Sequence, residues 1–421
     1  MKALKIILTV ILSIACLAVM VYFGAFALRV AFPSEPVQPR LASAEELFPA
    51  PPVEEEVVEE EEVPEEVVEE APAELTSKEK AAAYLQTMTL EEKLWQLFFI
   101  TPDDLADVET ATLAGDTTKE ALAARPVGGL CYFAANLENR EQTMEMLANT
   151  KSFAKTPLFL ATDEEGGVVS RLGSNENMGV DLLESAATYG AGDVLVLRQA
   201  AEKLAGQMTE LGFNMNFAPV ADVLLDPNNT EIGSRAYSDI AAVCGIMSAT
   251  MAEALQHSGV VSCLKHFPGH GSAQTDSHEG KSVSSRTLEQ LQAEEFLSFR
   301  SGIEKGVHFV MMSHLTNENL SALPSSLSPE TVSLLRNELG FEGVIITDSL
   351  KMGAIVHEYT AADAAVKAIM AGCDMLLMPN SVEVAYDGLV NAILEESLTE
   401  ARIDESVLRI LTVKYEMGIM E

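Results

Sequence analysis

Basic residues are scarce in this chain: 27 Lys and Arg stand against 64 Asp and Glu, for a formal charge of −37. A surface so short of cations is a poor partner for nucleic acid, whose phosphates need Lys and Arg. It is not drawn electrostatically to an anionic membrane or wall polymer either. Cysteine is sparse too, at five residues, and no CxxC or zinc-type spacing occurs. Cys16 lies in the N-terminal apolar run, while Cys131, Cys244, Cys263 and Cys373 are widely separated in apolar contexts. Buried free thiols are the expected state of those four, with disulfide pairing as the alternative. Apolar residues are not scarce. At 48% of 421 residues they can fill one large core or two ordinary ones.

The N-terminus departs from the rest. Lys2 and Lys5 precede an uncharged apolar run over residues 6–28. As a helix that run extends about 34 Å at ~1.5 Å per residue, enough to span a bilayer. Residues 1–32 are therefore expected to be an uncleaved single-span membrane anchor, with the body outside the cell. The alternative is a secreted or lipid-anchored protein, because Ser13-Ile14-Ala15-Cys16 resembles a lipoprotein cleavage site inside a signal peptide. Residues 33–76 read as a spacer. Fifteen Glu and one Arg lie between residues 35 and 74, interleaved with Pro and Val. Repulsion and Pro keep such a tract extended and disordered, on the order of 100 Å long at ~3 Å per residue. A short amphipathic helix through the Val pairs is the other reading.

From residue 77 to 421 the pattern changes to one domain of alternating strand and helix signals. Thr89-Leu90-Glu91-Glu92 is a capping-box sequence that opens a helix. Short apolar runs then recur at 97–100, 129–133, 158–161, 213–223, 260–267, 309–313, 344–347 and 375–378. Amphipathic stretches of helix length separate them, among them 194–211, 241–257, 288–306 and 328–339. Eight parallel-type strands with intervening helices predict an α/β fold, a TIM-like (β/α)8 barrel. A doubly wound sheet has the same alternation, and periodicity alone does not exclude it. Polar groups favour the barrel. Asp163, Asp222, Lys265 with His266, His314 and Asp348 fall in or just after five consecutive strand runs. Barrel enzymes build their sites at the C-terminal ends of their strands.

Those groups have chemistry open to them. Asp348 ends the run Gly343-Val344-Ile345-Ile346-Thr347-Asp348, where a carboxylate can attack an anomeric carbon or, more plainly, cap a helix. The segment Lys265-His266-Phe267-Pro268-Gly269-His270-Gly271 is denser. Its histidines, with Asp276 and His278, contain metal-ligand types, but their spacing matches no zinc pattern, and no metal or other cofactor is expected. A carboxylate two residues from an imidazole, as in Asp276-Ser277-His278, can fix the ring's tautomer and raise its basicity.

Taken together these segments resemble glycoside hydrolase family 3, in its bacterial single-domain β-N-acetylglucosaminidase branch. The matching strings are Met88-Thr89-Leu90-Glu91-Glu92-Lys93, Thr162-Asp163-Glu164-Glu165-Gly166-Gly167, Phe217-Ala218-Pro219-Val220-Ala221-Asp222, the run from Lys265 through His278, and Gly343 through Asp348. The resemblance implies Asp348 as nucleophile and His278 as acid/base, oriented by Asp276. It implies Asp163, Arg171, Arg235, Lys265 and His266 as the residues that hold the terminal sugar. Val168 stands where many members carry Arg, and Ser272-Ala273 replaces a common Asp-Thr. The chain ends soon after the eighth barrel unit, which fits the single-domain branch and disfavours a β-glucosidase.

The expected activity is retaining release of terminal, non-reducing β-N-acetylglucosamine from an N-acetylglucosamine-containing saccharide, such as a peptidoglycan fragment. A β-glucosidase, a phosphorylase using the same chemistry and a non-catalytic wall-binding module are the competing readings.

Overall fold

The computed structural model describes residues 75–273 and 280–421. The expected anchor and nearly all of the expected spacer therefore lie outside the described residues, as do Asp276 and His278. Among the described residues no helix is long and apolar enough to cross a membrane.

Eight parallel strands make up one sheet: β1 Phe98–Ile100, β2 Gly129–Cys131, β3 Phe159–Thr162, β4 Met215–Asn216, β5 Val261–Phe267, β6 Phe309–Met312, β7 Val344–Thr347 and β8 Leu376–Leu377. Consecutive strands from β1 to β7 pair in chain order, and β8 pairs with β1. A single parallel bridge between Ile346 and Met375 brings β7 to the approach to β8 and closes the ring. The alternation of strand and helix thus resolves as a barrel and not as an open doubly wound sheet.

The barrel interior is filled by aromatic rings. Phe99 lies 5.0 Å from Phe217 and 6.4 Å from Phe159, which meets Phe309 edge-on at 5.1 Å. All four are buried, each contributing roughly 1.5–3 kcal/mol of burial free energy. Outside, the helices follow local signals. At Thr89 the hydroxyl accepts from the Glu92 amide (3.2 Å), and the Glu92 carboxylate accepts from the Thr89 amide (3.0 Å). That reciprocal cap starts helix Leu90–Gln96. Helix Val194–Leu211 starts at a capping Asp193 and ends at Gly212, whose φ of 104° suits a residue without Cβ.

Three elements differ from expectation for identifiable reasons. The run at 213–223 forms only Met215–Asn216, because Pro219 has no N–H for a ladder; pairing resumes only at the Val220–Lys265 bridge. The helix at 288–306 breaks into Leu288–Ala293 and Glu295–Glu304, where Arg286 holds the buried Glu295 carboxylate. The helix at 328–339 starts at Pro329 and passes into a π-turn over Leu334–Glu338. The four cysteines from Cys131 to Cys373 are buried free thiols, and burial raises the pKa of each.

Candidate active site

A cleft of about 820 Å³ opens at the C-terminal ends of the strands. Every strand contributes to it, from Thr101 after β1 and Phe133 after β2 round to Met378 after β8. Asp163, Arg171, Arg235, Lys265, His266 and Asp348 all line this one cleft, although 185 positions separate the first from the last.

Lys265 is buried in β5, and its ammonium lies 2.8 Å from Asp163 and 2.7 Å from Glu165. Glu165 in turn receives Arg235 bidentately, at 2.8 Å to Nε and 2.9 Å to Nη2. The result is a chain of alternating charge, Asp163–Lys265–Glu165–Arg235. Burial alone would push the Glu165 carboxyl up, but Lys265 and Arg235 outweigh it and hold it well below the usual carboxylate range. Burial likewise opposes the Lys265 charge, and Asp163 and Glu165 more than restore it. Glu165, Lys265 and Arg235 are thus held in their charged forms at the cleft floor.

The β5 strand departs from regular pairing at this point. Lys265 pairs with Met311 and Phe267 with Met312, so His266 is an extra residue with no partner across the ladder. Strict alternation would send Lys265 and His266 to opposite faces; the bulge lets both reach the cleft. The turn that follows is held from behind by Asp222, which is fully buried. Its Oδ2 lies 2.7 Å from His266 Nδ1, and its Oδ1 accepts the His270 amide at 2.6 Å. A Cβ on Gly271 would fall 1.9 Å from the Val223 carbonyl, so only glycine permits the backbones to meet there.

Asp348 follows β7. Its amide donates to the Met312 carbonyl (2.8 Å), and its Oδ1 accepts the Ser349 amide (2.7 Å). The helix-cap reading does not apply, since the next helix begins at Gly353 with Met352 at its cap position. Burial raises the Asp348 pKa, but the facing His266 and His314 rings, the Ser349 amide and Lys265 together more than offset it, leaving a carboxylate ionised below its ordinary range. His314 itself is buried behind the cleft. Its rings nitrogens are taken by Ser326 Oγ (2.7 Å) and the Ser349 carbonyl (2.9 Å), and burial lowers its pKa.

Arg171 reaches the cleft from the hairpin Glu164–Gly166/Val169–Ser170, which follows β3. The buried Glu164 shapes that segment by accepting the amides of Arg171 (2.8 Å), Leu172 (2.7 Å) and Gly173 (3.3 Å) and the Ser170 hydroxyl. The guanidinium stacks over Phe133 at 5.7 Å, and its buried Nε has no hydrogen-bond partner. Val168 sits on the rim with three quarters of its surface exposed.

Glu165, Glu231 and Phe133 are given no site role in the sequence reading, and Asp222 enters it only as a polar group at a strand end, without a role. Their partners lie far away along the chain. Glu165 had one local signal: it stands two positions from Asp163, on the same side of an extended segment.

A charged, concave site at the C-terminal mouth of a (β/α)8 barrel is the arrangement of an enzyme. The family model described as the glycosyl hydrolase family 3 N terminal domain matches residues 89–413, and the chain belongs to that family of glycoside hydrolases. It is 30% identical over 332 residues to "Beta-hexosaminidase A" of Pseudoalteromonas piscicida, a match covering 71% of this chain and 55% of that protein. It is 32% identical over 256 residues to a "Beta-hexosaminidase" of Xanthomonas oryzae pv. oryzae, covering 60% of this chain and 76% of the relative. Among solved structures it is similar to a family 3 β-N-acetylglucosaminidase from Paenibacillus sp., with 33% identity and a TM-score of 0.74 over 79% of this chain and 63% of that one. The chain thus spans little more than half the length of some of the relatives it matches.

Proposed function

We propose that this chain is a retaining exo-acting β-N-acetylglucosaminidase. The observation that carries the reading is the ionised Asp348 carboxylate at the end of β7, on the same cleft floor as the Lys265 and His266 donors. The printed names of the relatives add the sugar class. Asp163, Arg171, Arg235, Lys265 and His266 would hold the hydroxyls of the terminal sugar, since charge-assisted hydrogen bonds orient a polyol well.

In the first step an Asp348 oxygen bonds to the anomeric carbon while the glycosidic C–O bond breaks. His278, oriented by Asp276, gives its proton to the leaving oxygen. In the second step the same imidazole takes a proton from water, whose oxygen displaces Asp348 and frees the sugar with its original anomeric configuration. Asp276 and His278 enter on their motif alone. The N-terminal apolar run and acidic spacer support a body tethered outside the membrane and acting on peptidoglycan-derived fragments.

The test is release of a chromophore from an aryl β-N-acetylglucosaminide, set against the aryl β-glucoside. Preference for the first is expected. Clear turnover of the glucoside with none of the acetamido sugar would overturn the reading.

A further inference from the structure

Asp222 is a fully buried carboxylate that, like Glu164, faces no ammonium or guanidinium within ion-pair distance among the described residues. A side chain with no exposed surface does not touch a sugar, yet an isolated buried carboxylate is costly unless its oxygens are filled. They are filled by one segment only: the His266 amide (3.1 Å) and His266 Nδ1 (2.7 Å) on Oδ2, and the His270 amide (2.6 Å) on Oδ1. Two backbone amides donate to it, one to each oxygen, and donors of that kind favour the ionised form against burial. An ionised carboxylate only accepts, so the proton in that contact belongs to His266 Nδ1.

We propose that Asp222 is a positioning residue that commits His266 to its Nδ1–H form, so that Nε2 of the neutral ring meets the bound sugar as a hydrogen-bond acceptor. The proposal rests on the glycosidase reading above for the nature of the ligand. It gives the cleft floor a polarity. Lys265 can only donate, whereas the adjacent His266 accepts, so a hydroxyl lying between them is read from both sides. A fluorine at that carbon accepts but does not donate, and would satisfy Lys265 while losing His266. Among charged and titratable groups, His270, His314, Lys265 and Asp348 also lie near the ring, and Asp222 is the partner that the structure gives Nδ1.

The tautomer can be read directly. Two-bond proton–nitrogen correlation spectra of the histidine-labelled full chain would be recorded at the pH of the activity assay, with His266 assigned by its loss in His266→Asn. The wild-type ring is expected to carry its proton on Nδ1. An Asp222→Asn amide can donate to Nδ1 instead, so the proton should move to Nε2, as an Asp-to-Asn change does to the histidine of a serine-protease triad. The same variant should lower kcat/KM on the aryl β-N-acetylglucosaminide by roughly 10- to 100-fold, with little further loss in a His266→Asn background. A wild-type ring protonated on Nε2, or losses that multiply in the double variant, would overturn the proposal. The wild-type spectrum needs no variant to fold. If it shows Nδ1–H in a chain that cleaves no N-acetylglucosaminide, the positioning role stands and the glycosidase reading falls.

Discussion

Both ends of the barrel carry buried clusters of Asp, Arg and Lys beside a sizeable concavity, yet the two clusters are unlike in one respect. At the N-terminal end, fully buried Asp374 accepts from Arg336 (2.7 Å), Arg409 (3.0 Å), Ser406 Oγ (2.7 Å) and the Ile345 amide (2.9 Å). Arg336 Nη1 also donates to the Phe341 and Gly343 carbonyls, and Arg402 bonds Ser406 and the Cys373 carbonyl. Helix Glu400–Glu416 is thereby fastened to β7 and β8. At the C-terminal end, among the described residues, Asp348 accepts only the Ser349 amide, Asp163 only Lys265, and Arg171 Nε has no partner. The adjoining hollows hold about 770 and 820 Å³, so size does not tell them apart. Unused hydrogen-bonding capacity does. A saturated cluster stabilises the fold, and an unsaturated one on a cleft is available to a ligand.

The sharpest way to break that contrast is to neutralise one carboxylate at each end. Asp348→Asn should lower turnover of the aryl β-N-acetylglucosaminide by roughly 10³-fold or more while leaving the urea midpoint nearly unchanged. Surviving turnover would remove Asp348 from the nucleophile role. Asp374→Ala should do the reverse. Three arginines would be left around an empty position, and breaking a buried ion cluster costs about 3–5 kcal/mol of unfolding free energy. Its kcat per folded molecule should stay at the wild-type value. A variant that unfolds at the wild-type urea concentration would show that the lower cluster is not a fastening.

Arg171→Ala sharpens the upper half of the comparison. Its guanidinium is held by Phe133 and by the segment braced on Glu164, with no ion pair among the described residues. Removing it should therefore cost little stability. If its free donors meet the sugar, kcat/KM should fall by about 1.5–3 kcal/mol in transition-state terms, or roughly 10- to 150-fold. An unchanged kcat/KM would place Arg171 on the rim and outside the sugar contacts.

The contrast also explains what the sequence made legible. Elements set by local signals were readable: the Thr89 capping box, the Asp193-to-Gly212 helix and eight apolar runs each seeding a strand. Departures arose where a single residue overrode the periodicity, as Pro219 did in the fourth run and Arg286 did by holding Glu295. Cleft residues at strand ends were readable because a barrel places its strand ends together. The pairings among them were not. Glu165 meets Arg235 across 70 residues, Lys265 meets Asp163 across 102, and Asp222 meets His266 across 44. No window of sequence holds both members of such a pair. The bulge at His266 was equally hidden, since alternation would have put one of Lys265 and His266 on the wrong face.

One residue at the lower end tests whether saturation is complete there. Lys414 is fully buried; its ammonium lies 2.7 Å from Gln96 Oε1 and 5.1 Å from the centre of the Phe159 ring, and no carboxylate is within ion-pair distance among the described residues. Burial pushes its pKa down to about 7. The sign of the linkage follows from that direction. Between about 7 and the ordinary lysine value near ~10.4 the unfolded chain binds the proton that the native state has released, so stability gained from this group rises with pH across that window. Below the window both states are charged and the full burial penalty applies; above it both are neutral and the penalty is gone. Lys414→Met removes the titration but leaves Gln96 Oε1 without its donor, so the net change at neutral pH should be small, on the order of 1 kcal/mol in either direction. The informative quantity is therefore the slope. Unfolding free energies of wild type and Lys414→Met, measured in urea at neutral pH and again two units higher, should converge or cross in favour of the wild type, because only the wild type gains on the alkaline side. Parallel pH dependences would mean that the Gln96 carbonyl and the Phe159 face stabilise the buried ammonium as fully as the arginines stabilise Asp374.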